Sequence, residues 1–102
     1  MEQVKVLVIG KNIELVQLLV KLTGKFENLL VSGTTEVTDI LQVNQENLPH
    51  ILIISSGLAE QSEKAIDEHI RLLHPNIKII YHYGGGSGLL KGELQSVLDF
   101  EI

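Results

Sequence analysis

Short apolar runs recur along the chain and are separated by segments of mixed polarity. The four runs are Val4 to Gly10, Asn28 to Ser32, Ile51 to Ile54 and Ile77 to Tyr83. Each is brief and rich in β-branched residues, a pattern typical of strands buried on both faces of a sheet. The sequence therefore predicts four strands.

The segments between the strands carry apolar residues at helical spacing and have recognisable ends. Asn12, Thr35 and Ser62 are predicted to cap three helices, because their side chains can accept hydrogen bonds from free backbone N–H groups. Gly24 is predicted to stop the first helix, and Pro75 the third. The apolar positions that define these helices are Leu15, Leu18, Leu19, Leu22 and Phe26, then Val37, Ile40 and Leu41, then Ile66, Ile70 and Leu73.

Strict alternation of strand and helix predicts an α/β fold with a parallel sheet and right-handed crossovers. Helices are expected on both faces of the sheet, which gives three layers, α/β/α. No linker-like segment interrupts the pattern, so residues 1–102 are interpreted as a single domain.

Composition narrows the classes of protein that fit. Hydrophobic residues make up 44% and charged residues 21%, which indicates a globular protein. No apolar run reaches the roughly 20 residues that cross a bilayer, and the first strand begins too close to Met1 for a signal peptide, so a cytoplasmic location is expected. The net charge of -5 argues against nucleic acid as a partner. The absence of cysteine excludes disulfides and thiolate sites.

Three segments resemble receiver domains of two-component response regulators. They are "VLVIGKN" at residues 6–12, "PHILIIS" at residues 49–55 and "HPNIKII" at residues 74–80. The resemblance implies a flavodoxin-like sheet in which the four strands take the order 2-1-3-4, with a fifth strand as an alternative. The alternative depends on Lys91 ending an added strand. The helical spacing of Leu90, Leu94, Val97 and Leu98 instead favours a fourth helix within residues 87–100.

The phosphorylation chemistry of that family is missing from this chain. The resemblance places the family's metal-holding acidic pair at Gly10 and Lys11, and its phosphorylated aspartate at Ser55. Magnesium is usually held by carboxylates, and an ammonium group at Lys11 would repel it. We therefore expect a degenerate phosphorylation site, no enzyme activity and no cofactor. A phosphocarrier of the sugar-transport enzyme IIB type is also excluded, because position 10 lacks the cysteine that it needs.

Polar residues and glycines follow the predicted strands, where open α/β sheets place their ligand crevices. Backbone N–H groups in such a loop can bind an anion, so a domain that binds a small anionic ligand or a nucleotide is the alternative function. Residues that only form turns and helix caps would give the same pattern of polar residues and glycines after the strands, so a purely structural role is the other interpretation. No metal site is predicted, since the four histidines lack metal-ligand spacing. The predicted crevice residues are Asn12, Ser56, His82, Gly84, Gly85, Gly86 and Ser87.

The fourth strand would be an exposed apolar edge if no fifth strand covers it. Soluble proteins usually cover or pair such an edge, and cover by the chain's own terminus is an equal alternative. We expect the chain to act as a non-phosphorylatable, receiver-like protein-interaction module in bacterial signalling. Its protein partner, or a second copy, would bind the side formed by strand four and the C-terminal helix. The predicted interface residues are Ile79, Tyr81, Tyr83, Leu90 and Leu94.

Overall fold

The computed structural model describes residues 4–26, 28–82, 90 and 92–94. Leu90 and residues 92–94 are helical and are called the C-terminal helical segment below. The elements before it, in chain order, are β1 (Val4–Ile9), α1 (Ile13–Thr23), β2 (Leu29–Thr34), α2 (Val37–Leu41), β3 (Ile51–Ser55), α3 (Glu60–Leu73) and β4 (Lys78–His82).

The four strands form one parallel sheet in the order β2-β1-β3-β4. Both the parallel pairing and the strand order confirm the prediction. The central strand β3 is buried at every position from Ile51 to Ser55, as expected for a strand covered on both faces. Within the described residues the sheet has no fifth strand, and the helical state of Leu90 and residues 92–94 favours the fourth-helix alternative.

Two apolar clusters occupy opposite faces of the sheet and establish the three layers. Alternate strand residues point to alternate faces, so neighbouring residues of one strand belong to different clusters. The first face, called the α1 face, joins Val6, Val8, Ile51, Ile53 and Ile80 to Val16 and Leu19 of α1 and to Leu90 and Leu94. The second, called the α3 face, joins Ile9, Leu52 and Ile54 to Ile40 of α2 and to Ile66 and Ile70 of α3.

Two of the predicted helix ends are confirmed. The Asn12 side chain accepts hydrogen bonds from the N–H groups of Glu14 and Leu15, and Gly24 follows the last residue of α1. Asn12 therefore caps the N-terminus of α1, where its side chain pairs two free N–H groups. Gly24 stands at the predicted end of the helix.

The two other predicted caps are wrong. Glu36 precedes α2, and the Thr34 hydroxyl accepts the Glu36 N–H and donates to Asp39, so Thr35 is not needed as a cap. Helix α3 begins at Glu60, which places Ser62 inside it. Glutamates in the first turn of α3 favour this earlier start, since negative charge stabilises a helix N-terminus.

The buried face of α1 matches the predicted apolar set only in part. Leu19 is buried, and Leu22 and Phe26 pack against the α1-face cluster, as the spacing predicts. Leu15 and Leu18 are 41% and 48% exposed, whereas Val16 is buried. A β-carbon added to Gly10 would lie 3.1 Å from Val16, and one added to Gly33 only 2.6 Å from it. Gly10, which follows β1, and Gly33 of β2 thus leave the space that Val16 fills.

No helix in the described part of the chain is both long and apolar enough to cross a membrane.

Candidate functional site

The predicted site lies where β1, β3 and β4 end at the same edge of the sheet. Gly10 follows β1, and Ser55 and His82 are the last residues of β3 and β4. Ser55 is paired in register with His82, so the two residues are neighbours across the strands. Sequence alone placed these residues at one edge, and the parallel sheet brings them together there.

Gly10 lies so close to Ser55 that a side chain at position 10 would need its neighbours to shift. A β-carbon on Gly10 would lie 2.8 Å from Ser55 Cβ and 3.4 Å from Ser55 Oγ. Carbon atoms that are not bonded to each other pack at about 3.5–4.0 Å. Ser55 Cβ is attached directly to a central strand and cannot turn aside. A side chain at the position that the family resemblance assigns to an acidic residue would therefore require β1, β3 or α1 to shift.

Lys11 is exposed beside the loop that follows β3. In that loop Gly57 has a φ of 100°, a left-handed conformation that favours glycine, and a β-carbon there would lie 3.2 Å from Lys11 Cβ. The loop consequently passes close over the stem of Lys11. The ammonium group is left as a positive charge at the edge where the family holds a cation.

Asn12 and Ser56 follow β1 and β3 at this edge, and Asn12 also caps α1. Asn12 Oδ1 accepts hydrogen bonds of 2.9 Å from Glu14 N–H and 3.3 Å from Leu15 N–H. Both oxygen lone pairs are thereby directed at the helix. Ser56 is half-buried. The remaining predicted crevice residues, Gly84, Gly85, Gly86 and Ser87, lie outside the described residues.

His82 is buried and paired with a carboxylate. Its side chain is 6% exposed, and its Nδ1 lies 2.7 Å from Oε1 of Glu93 in the C-terminal helical segment. The imidazole N–H donates to the carboxylate, which fixes the plane of the ring. This contact links the end of β4 to the C-terminal helical segment, which packs on the α1 face together with α1.

Ser55, His82 and Glu93 stand in the order of a nucleophile, a base and an acid, but the first link is not made. Ser55 is 3% exposed, and no hydrogen bond joins it to His82 among the described residues. A serine hydroxyl is a weak nucleophile unless a base takes its proton. The arrangement as it stands favours a structural role for the His82–Glu93 pair.

The predicted interface residues divide between the core and the surface. Leu90 and Leu94 are 1% and 0% exposed and belong to the α1-face cluster, which corrects their assignment to a partner surface. Ile79 is half-buried against the α3-face cluster. Tyr81 is 38% exposed, and its hydroxyl donates to Asp67 Oδ2 at 2.8 Å. Tyr83 lies outside the described residues.

The remaining histidines have backbone partners or lie on the surface. His50 Nδ1 accepts the Lys5 N–H at 2.9 Å, and His69 Nε2 lies 3.0 Å from the Val43 carbonyl oxygen. His74 ends α3 and is exposed. Within the described residues no group of three or more histidine, aspartate or glutamate side chains is placed to hold a metal ion.

Three contributors to the site were missed by sequence reasoning. Glu93 was not singled out, because nothing in a lone glutamate of an amphipathic segment indicates that it pairs with a buried histidine. Gly57 could have been found as the glycine that follows two serines after a strand, a common turn signal. Val16 could not, because its position depends on which face of α1 is buried.

Comparison with protein-family models gives no match for this chain, and comparison with curated proteins gives no match either.

Proposed function

We propose that this chain is a receiver-like protein-interaction module of bacterial signalling that does not transfer phosphoryl groups. The observation that carries the proposal is the close contact between Gly10 and Ser55, because a carboxylate side chain at position 10 could enter only if β1, β3 or α1 shifted. Lys11 adds a positive charge where a cation would have to bind. With neither acid present, the edge lacks the carboxylates that would hold a metal ion beside an incoming phosphoryl group.

Burial of Ser55 supports the same proposal. With 3% of its surface exposed, the residue offers little access to a phosphate donor. Within the described residues the four-stranded sheet nevertheless carries an apolar cluster on each face. A scaffold that keeps its core but lacks its chemistry can still present surfaces to another protein.

The experiment is incubation with acetyl phosphate and magnesium, followed by mass spectrometry of the intact protein. We expect no gain of a phosphoryl group by the wild-type chain or by Ser55→Ala, the matched control. Ser55→Asp separates two explanations, because it restores the acceptor but not the metal-holding acids. We expect Ser55→Asp to stay unmodified as well. A stable adduct on wild-type Ser55 would contradict the proposal.

The interaction half of the proposal needs its own measurement. Proteins captured by the wild-type chain should be captured equally by Ser55→Ala, and in the same amounts with or without acetyl phosphate. Capture that depends on acetyl phosphate and on Ser55 would instead indicate a working phosphorylation switch.

A small-anion site is the second candidate, and the exposed Lys11 favours it. An ammonium group beside backbone N–H donors suits a phosphate or a carboxylate. Thermal unfolding in the presence of nucleotides and phosphorylated metabolites tests this function, because a ligand that binds only the folded state raises the melting temperature. A gain that Lys11→Ala abolishes would favour the ligand site. A flat response across the panel would favour the interaction module.

A further inference from the structure

His50 closes the start of the pairing between β1 and β3 with both its backbone and its ring. The His50 N–H donates to the Lys5 carbonyl oxygen at 2.9 Å, and the Lys5 N–H donates to His50 Nδ1 at 2.9 Å. The two residues therefore exchange two hydrogen bonds just before Val6 and Ile51, the first paired residues of the ladder. These two bonds are called the His50 clasp below.

The imidazole takes the place of a backbone carbonyl that the ladder lacks. A residue in a parallel ladder accepts from one residue of the facing strand and donates to the residue two positions earlier. The Lys5 N–H would therefore be directed at the Leu48 carbonyl oxygen if β3 began sooner. β3 begins only at Ile51, and Pro49 lies between. Since a backbone N–H without a partner is costly, the ring supplies the acceptor that the backbone does not.

The bond from Lys5 fixes the protonation state of the His50 ring. An imidazole nitrogen accepts a hydrogen bond only through its lone pair, so Nδ1 carries no proton and the hydrogen of the neutral ring is on Nε2. In the protonated ring both nitrogens carry hydrogens, and neither accepts. Protonation therefore sets the Nδ1 hydrogen against the Lys5 N–H and breaks this half of the His50 clasp.

Two other histidines in the described part of the chain use their rings in the opposite sense. His69 Nε2 donates to the Val43 carbonyl oxygen, which can only accept, and His82 Nδ1 donates to Glu93 Oε1. Both of these bonds are compatible with a protonated ring. Of the three histidines, His50 alone acts as an acceptor, so acid removes its bond and leaves the other two.

We propose that the His50 clasp is a pH-sensitive contact that opens one end of the sheet in acid. Histidine changes its charge between about pH 5 and about pH 8. At the basic end of this range the neutral ring accepts from Lys5, and the ladder between β1 and β3 is closed. At the acidic end the ring leaves, and the Lys5 N–H turns to water. His50 is exposed, so solvent reaches the ring and its departure leaves the core in place.

Positive charge on both neighbouring strands favours departure of the protonated ring. Lys5 of β1 is exposed, and Lys78 of β4 is paired in register with Ile51, the residue after His50. Two ammonium groups on the strands that flank β3 disfavour a third positive charge between them. The other titratable residues in the adjoining loops and termini are Lys25, Glu46 and His74, with Glu2 and Glu27 outside the described residues.

The experiment is NMR spectroscopy of the full, isotope-labelled chain from about pH 8 to about pH 5, the range over which histidine titrates. Correlations of the ring nitrogens with the ring hydrogens report the tautomer of His50. Solvent exchange of the Lys5 N–H, corrected for the intrinsic exchange rate at each pH, reports the bond. We expect the Nε2–H tautomer at the basic end and a loss of Lys5 protection of about fivefold that follows the titration of the His50 ring. An Nδ1–H tautomer at the basic end overturns the proposal, as does protection of Lys5 that stays constant.

His50→Asn and His50→Ala form a matched pair of variants. Asparagine Oδ1 is as many bonds from the backbone as histidine Nδ1 and accepts at any pH, so His50→Asn should keep Lys5 protected with no response to pH. His50→Ala lacks the acceptor and should leave Lys5 as unprotected at the basic end as the wild type is at the acidic end. A response that persists in His50→Asn belongs to another group and overturns the proposal.

Neighbouring titratable residues provide the remaining controls. The variants Glu2→Gln, Glu27→Gln, Glu46→Gln and His74→Asn should each respond to pH as the wild type does. Loss of the response in any of them would assign it to that residue and overturn the role of His50. Neither phosphorylation nor a protein partner enters this response, so it stands or falls independently of the proposed function.

Discussion

Replacement of Gly10 by alanine tests whether the site is closed by packing. The added methyl group would lie 2.8 Å from Ser55 Cβ and 3.1 Å from Val16 Cγ2. The first distance is about 1 Å shorter than an ordinary carbon contact. Because Ser55 Cβ is bonded directly to the Cα of a central strand and no rotamer moves it, β1 and β3 must separate or α1 must shift.

The expected cost follows from two opposing effects. Overpacking of a core typically destabilises a protein by about 1–3 kcal/mol. Alanine also restricts the unfolded chain, which returns about 0.4–1 kcal/mol. No positive φ is recorded at Gly10, so no further backbone strain enters. We expect Gly10→Ala to lower the free energy of unfolding by about 1–2 kcal/mol.

The assay is urea unfolding followed by circular dichroism, with Gly92→Ala as the matched control. A β-carbon on Gly92 would meet nothing within 4 Å, and the residue is helical. Glycine costs a helix interior about 1 kcal/mol relative to alanine, so the control should raise stability. Combining Gly10→Ala with Ser55→Gly removes the clashing carbon and should recover part of the loss. The reasoning is refuted if Gly10→Ala is as stable as the wild type while its unfolding slope is unchanged.

Further predictions concern buried polar groups and one surface contact. Thr23 is buried and its hydroxyl has no hydrogen-bond partner within the described residues, so Thr23→Val should raise the free energy of unfolding by about 1 kcal/mol; a loss of stability in urea unfolding would show that the hydroxyl is satisfied in solution. Glu93→Ala should cost about 1–3 kcal/mol because it leaves the buried His82 imidazole unpaired. A double-mutant cycle with His82→Ala measures this coupling, and additive effects would exclude the pair. Tyr81→Phe should cost about 1 kcal/mol through its hydrogen bond to Asp67, and Asp67→Asn should then have a smaller effect in the Tyr81→Phe background; an unchanged effect in that background would contradict the bond.

The fold was accessible from sequence because its signals are local and repeated. Strands such as Ile51 to Ile54 are uniformly apolar, and Asn12 and Gly24 are standard helix-end residues, so each element could be located without knowing its neighbours. The cap prediction for α2 was wrong because two neighbouring threonines could both bond the free N–H groups. The Thr34 hydroxyl accepts the Glu36 N–H, and no sequence rule ranks Thr34 above Thr35.

The site was accessible only in part, because its properties depend on distances between elements that are far apart in the chain. The sequence shows directly that positions 10 and 55 carry no carboxylate. The steric cost of a side chain at position 10 depends on how closely Gly10 approaches Ser55. Burial of Leu90 and Leu94, rather than their exposure to a partner, likewise depends on where the C-terminal helical segment packs.

The amino-acid sequence by itself determined the alternation of strands and helices, and with it the parallel sheet, because hydrophobic periodicity and turn residues act over a few positions. Only the tertiary structure decided that Val16 is buried while Leu15 and Leu18 are exposed, and that His82 pairs with Glu93. These features arise when side chains from separate elements compete for one space. Val16 filling the gap left by Gly10 and Gly33 is the clearest case, since the three residues meet only after the sheet has formed.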